Sequence, residues 1–178
     1  MLPNPLHPAM VHFPLVLAFL LPFFAFGAAW AIRRGARPRR AWSIPLALAA
    51  ALAGSAWVAV ETGEAQDERV ERVVPERFLS AHEATAETFL AGSTALALIA
   101  AAGLIGGVAG RAARVAAVAG SMVLVVGAAL VGHSGGQLVY RYGAASAYAP
   151  GQTALSDSAR AVQGVARAER HREGDDHE

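Results

Sequence analysis

Cysteine is absent from the 178-residue chain, and lysine is too, so all fifteen basic residues are arginine. Without thiols there is no disulfide, thiolate zinc site, iron–sulfur cluster or C-x-x-C-H attachment of c-type haem. Charge is scarce: 16% of residues carry it against 54% apolar, and mean hydropathy is +0.37. A soluble domain is about a quarter charged, so the balance argues against an ordinary globular enzyme. Nucleotide loops of the G-x-x-x-x-G-K-[ST] type and the G-x-S-x-G elbow are missing. His82-Glu83 opens like a zincin helix, but Ala86 stands where the second histidine belongs. No basic run interleaves with aromatics, which excludes a nucleic-acid partner.

The long charge-free runs are the dominant positive feature. Val11–Ile32, Trp42–Val60, Thr88–Gly110 and Val115–Gly132 hold 22, 19, 23 and 18 residues without Asp, Glu, Lys or Arg. About 20 helical residues cross a hydrocarbon layer of roughly 30 Å. The expectation is an all-α integral membrane protein with spans near 11–32, 42–60, 88–110 and 115–140. The first run is read as a span rather than a cleaved signal peptide, because no basic residue precedes Arg33. Residues 144–178 form a polar tail, with a weak amphipathic helix through Leu155, Ala159, Val162 and Ala166 and a disordered end at Arg170–Glu178.

Charge is segregated. Arg33, Arg34, Arg37, Arg39 and Arg40 join the first two spans, and Arg111 and Arg114 join the last two. The loop Glu61–Glu87 between them carries eight acidic residues and three Arg. Short arginine-rich loops stay cytoplasmic, which predicts both termini outside. Short connections make spans 1–2 and 3–4 antiparallel neighbours in an up-down-up-down bundle. Val70, Val73, Val74, Phe78 and Leu79 recur at helical spacing around Pro75, predicting a short interfacial helix ending near Val74 and a new helix from Pro75 into the third span. The G-x-x-x-G pairs Gly103/Gly107, Gly106/Gly110 and Gly132/Gly136 allow close helix packing, within the bundle or in an oligomer.

Four histidines gather at the outer end of this layout: His7, His12, His82 and His133. His171 and His177 lie in the charged tail. His7 precedes Pro8 and is read as a cap, with His12 one turn inside. His82 shares a face with Phe78, Leu79, Ala86 and Phe89, and Glu76, Glu83 and Glu87 form the adjoining polar stripe. His133, Gln137 and Tyr140 line one stripe beside Gly132, Gly135 and Gly136. Interfacial histidines often bond only a carbonyl or headgroup; ionisable groups at membrane depth nonetheless tend to face a cavity. Imidazole without cysteine suits b-type haem held by two histidines, or copper or zinc with His and carboxylates. The glycines at 135 and 136 leave room for a flat macrocycle, and Arg141 is placed for its propionates. Glu83 and Glu87 suit a non-haem ion.

The opening Leu6-His7-Pro8-Ala9-Met10-Val11-His12-Phe13-Pro14 resembles the L-H-P-x-x-V-H-F-P start of a bacterial membrane-protein family, the domain of unknown function numbered 2231. Gly132-His133-Ser134-Gly135-Gly136-Gln137-Leu138-Val139-Tyr140, then Gly143, resembles the family's closing G-x-x-G-G-x-L-V-Y-x-x-G. The resemblance covers about Pro3–Gly143. It implies a four-span fold, a membrane location and a recurring role for the His7/His12 pair and the Gly135–Tyr140 stripe, but no reaction.

Three functions are therefore expected. The first is haem b held by two of His12, His82 and His133, with His7 supporting or as an alternate ligand, serving electron transfer to a membrane or periplasmic redox partner at the bacterial inner membrane. The second is a scaffold or accessory subunit without a cofactor, packing through its glycine faces. The third is copper or zinc binding by His, Glu83 and Glu87. Electron transfer or an accessory role is favoured over an enzyme, and whether any turnover occurs is left open.

Overall fold

A computed structural model describes residues 6–149. Four long helices, α1 His7–Arg33, α2 Pro38–Glu64, α3 Glu76–Ala102 and α4 Gly107–Tyr140, are each long and apolar enough to cross a membrane. The loop after α2 contains a one-turn helix, Asp67–Val70, and a 3₁₀ turn, Ala144–Tyr148, follows α4. Among the described residues there is no strand. The tail helix expected around Leu155 and the charged end lie outside the described residues.

Each helix starts where its sequence allows. Pro8 and Pro38 occupy first turns, where a missing N–H costs nothing. Pro75 is the extended N-cap of α3, and Glu76 follows it in the first turn beside the positive end of the helix dipole. The expected start at Pro75 is thus met. The loop helix stops at Val70, earlier than expected, because Val74 leaves the helix to bury itself against Leu79, Leu138 and Ala144.

The third span also ends earlier than its charge-free run. α3 stops at Ala102 and the connection is Gly103–Gly106, so Arg111 and Arg114 ride on α4 instead of in the turn. Absence of charge cannot distinguish an apolar turn from a helix. The glycines could: Gly107 has φ +73°, and a Cβ on Gly110 would overlap the Ile105 carbonyl. Two of the three G-x-x-x-G pairs therefore build this turn, where helix–helix packing was expected.

The helices close a ring in which α1 packs on α2, α2 on α3, α3 on α4 and α4 on α1. Its core is built from small residues, including Ala18, Ala25, Ala49, Ala56, Ala100 and Ala128, around the buried Trp42 and Leu52. Large apolar side chains point outward, Phe23 with 75% of its surface exposed and Val108 with 72%. Small-in, large-out is the packing of helices in lipid, where close backbone approach supplies the contact energy.

The two hairpins repeat one another. Buried Pro14, Ala18, Leu21 and Ala25 of α1 are matched by buried Phe89, Ser93, Leu96 and Ala100 of α3, each 75 positions later. Buried Trp42, Pro45, Ala49, Leu52 and Ala56 of α2 are matched by Arg114, Ala117, Ser121, Leu124 and Ala128 of α4, each 72 positions later. Both connections are four residues long, so the difference lies in the helix ends: α3 stops sooner after its buried face than α1 does. The bundle is a pseudo-two-fold pair of hairpins.

Candidate functional site

The repeat brings His7 of α1 and His82 of α3, also 75 positions apart, to one end of the bundle. Their ring centroids are 6.5 Å apart, with the planes at 86°. His7 Nδ1 lies 2.8 Å from the Ala59 carbonyl of α2, which can only accept, so Nδ1 carries the proton. Ser134 Oγ of α4 donates to the Val131 carbonyl at 3.0 Å, which leaves it as acceptor for His82 Nδ1 at 2.8 Å. In both rings Nδ1–H is anchored and Nε2 is left with a free lone pair in the neutral form. Anchoring of one ring nitrogen is how proteins orient histidines for ligation by the other.

Each ring also lies against a glycine. A Cβ on Gly63 would sit 3.2 Å from His7, and one on Gly135 would sit 3.1 Å from His82. Gly63 and Gly135 are themselves 72 positions apart, as are Thr62 and Ser134, whose hydroxyls both bond the carbonyl three residues back. Two equivalent half-sites, one per hairpin, thus face each other.

Both histidines line a cavity of about 710 Å³ at this end. Val60, Leu79, Ala86 and Leu138 supply apolar wall, and Glu64, Asp67, Glu83 and Glu87 line it too. Asp67 lies beside Glu83 here, and burial raises the Asp67 pKa above the ordinary aspartate value. Beyond α4, Ala144 packs on Val74 and Leu79 while Tyr148 reaches the cavity and donates to Gln66 Oε1 at 2.6 Å. Phe78 stacks on Tyr142 at 3.9 Å between centroids, fastening the same segment to α3. The Arg69 guanidinium lies 5.3 Å from the centre of the Tyr148 ring.

Of the four histidines expected to converge, the structure brings two together. His12 is exposed on α1, away from the cavity lining. His133 is exposed on α4 and bonds Gln137 at 3.0 Å. Gly135 touches His82, but Gly136 meets open space and Gly132 approaches Leu15 instead. Arg141 stands over Tyr142, 5.7 Å from its ring centre, outside the cavity lining. Glu83 and Glu87 both line the cavity. Among the described residues no group of three or more His, Asp or Glu side chains is arranged to hold an ion. Sequence reasoning passed over Gly63, Gln66, Asp67, Ser134 and Tyr148; the hydroxyl-glycine dipeptides Thr62-Gly63 and Ser134-Gly135, set at the repeat distance, were the available signal.

These features define a four-span membrane protein with a paired-histidine cavity at one end. The chain belongs to the family described as predicted membrane protein (DUF2231), whose model matches residues 3–147. No curated protein and no solved structure matches it.

Proposed function

We propose that the cavity binds b-type haem between His7 and His82, for electron transfer with a partner in or beside the membrane. The observation carrying this reading is the pair of imidazoles 6.5 Å apart in one cavity wall, each with Nδ1–H tied back and Nε2 without a hydrogen bond among the described residues. At that separation of ring centroids one bound group could engage both imidazoles. A bare ion needs about four donors from the protein, whereas a haem brings four of its own and asks for two. The volume is of the size that organic ligands occupy. When bound, the group would supply one-electron chemistry; His7 and His82 would hold it, and Gly63 and Gly135 would leave their rings room. The arginine-rich loop end is read as cytoplasmic, in the inner membrane of a bacterium, with the histidine end outside.

The test is a reduced-minus-oxidised absorption spectrum of protein purified from cells with ample haem. Low-spin alpha and beta bands are expected, lost in His7→Ala and in His82→Ala but kept in His12→Ala and His133→Ala. A colourless wild-type protein overturns the reading. The acidic lining favours one second reading, a divalent ion held by the histidines with Asp67 or Glu83. Metal analysis would then find a stoichiometric ion that a chelator removes.

A further inference from the structure

We propose that the opposite end of the bundle carries a binding site for a phosphate-bearing anion, built from the arginines of both hairpin connections. The two turns enclose a cavity of about 400 Å³. Arg37, Arg39 and Arg40 line it from the α1–α2 connection and the first turn of α2; Arg114 lines it from α4, with Gly106 and Gly107 beside it. No carboxylate is among the lining residues. None is available nearby in sequence either: the first acidic residue of the chain is Glu61, and none occurs between Glu87 and Asp157.

Arg114 makes the arrangement more than a solvated charge patch. It is 8% exposed, and among the described residues its guanidinium makes one hydrogen bond, from Nη1 to the Gly103 carbonyl. Among the described residues no Arg114 nitrogen is both buried and unpartnered, so the N–H groups not bonded to Gly103 stay reachable at the cavity, where the other charged lining residues are further arginines. α2 and α4 both begin at this cavity, and neither Arg37 nor Gly106 caps its helix through a side chain. Their positive dipole ends add to the arginine charge. Planar guanidinium forks match the oxygens of a phosphate in pairs. The ligand chemistry is therefore a phosphate mono- or diester, whether the headgroup of an anionic phospholipid or a free phosphate. This site is independent of the histidine cavity.

The test uses the full-length protein, delipidated in a neutral detergent. Native mass spectrometry and thermal midpoints follow additions of phosphatidylglycerol, phosphatidylcholine and inorganic phosphate. One tightly held phosphatidylglycerol, with phosphatidylcholine far weaker, assigns the site to anionic headgroups. Saturable protection by inorganic phosphate alone assigns it to free phosphate. Arg39→Gln/Arg40→Gln removes two guanidinium groups from the cavity lining and should weaken binding about tenfold or more, the size of one lost charge-assisted hydrogen bond. Arg33→Gln/Arg34→Gln removes the same charge from the same end but outside the cavity lining, and should change binding by less than a few-fold. Equal losses in the two double variants, or equal binding of phosphatidylcholine, overturns the proposal.

Discussion

Gly135 and Gly136 are adjacent helical glycines with opposite surroundings, and replacing each by alanine separates the histidine half-site from ordinary helix stabilisation. A Cβ on Gly136 meets nothing within 4 Å. Gly136→Ala should therefore gain most of the helix-propensity difference between the two residues, about 0.5–1 kcal/mol. A Cβ on Gly135 would lie 3.1 Å from His82 Cε1, closer than carbon atoms settle, so the ring must retreat by a few tenths of an ångström. The ring is not free to retreat, since its Nδ1 is fixed to Ser134 at 2.8 Å. Stretching or losing that hydrogen bond costs about 1 kcal/mol, which cancels the propensity gain.

Gly135→Ala should accordingly leave stability near wild type, about 1 kcal/mol below Gly136→Ala. Gly63→Ala should behave like Gly135→Ala, because its Cβ would lie 3.2 Å from a His7 ring pinned to Ala59 at 2.8 Å. Reversible unfolding of the three variants in mixed micelles gives the free energies, and imidazole nitrogen shifts by NMR report whether the His7 and His82 rings have moved. If Gly135→Ala is stabilised as much as Gly136→Ala, with unmoved His82 resonances, the packing of imidazole on glycine is not a constraint and the reasoning fails.

Ser134→Ala removes the acceptor of His82 Nδ1–H in a half-buried setting and should cost about 1–2 kcal/mol, while Ser134→Thr should retain the bond; equal stability of Ser134→Ala and wild type would refute the anchor. Trp42→Phe loses the 2.9 Å hydrogen bond from the indole to the Ala100 carbonyl and opens a void at a fully buried position. The carbonyl still accepts from Gly103 N–H at 3.0 Å, so the expected loss is moderate, about 2 kcal/mol by unfolding. Gly107→Ala places a side chain at φ +73° and should destabilise the α3–α4 turn by about 1 kcal/mol, read in the same assay. Asp67 has a raised pKa in the fold, mainly from burial, so the folded state holds its proton more tightly than the unfolded chain. Its contribution to stability is present at low pH and declines as pH rises from the ordinary aspartate value through the raised one. Asp67→Asn should flatten that part of a pH–stability curve; an unchanged slope would show that Asp67 does not cause it.

The spans were legible because crossing a bilayer demands about 20 apolar residues, a requirement that leaves long charge-free runs. Their ends were less so. Gly103–Gly106 carries no charge, and the demand for a left-handed residue at Gly107 is written in backbone geometry, not in hydropathy. The histidine end was legible in depth: rise per residue places His7, His12, His82 and His133 near one level. Direction around the helix axis was the missing coordinate. His7 and His12 are five residues apart, about 140° around a helix at 100° per residue, so they cannot share a face. With His7 turned to the Ala59 carbonyl, His12 is left to the outer surface.

The repeat supplies that missing direction. In a pseudo-two-fold bundle, α1 and α3 are equivalent and stand diagonally opposite, so a side chain that α1 sends toward the axis at one end is answered by its counterpart from α3. Among the four histidines at this end only His7 and His82 are separated by the 75 positions that relate the buried faces of those helices. His12 corresponds to Glu87 at the same offset, and His133 corresponds to Glu61 at the 72-position offset of the second helices. Each hairpin carries one imidazole, one helical glycine beneath it and one hydroxyl a residue before that glycine. Neither hairpin alone supplies two facing imidazoles, so the pair exists only when α2 packs on α3 and α4 on α1. The site therefore depends on the same seams that close the bundle, and a substitution that loosens those seams, such as Trp42→Phe against Ala100, should disturb the histidine pair from the opposite half of the helix.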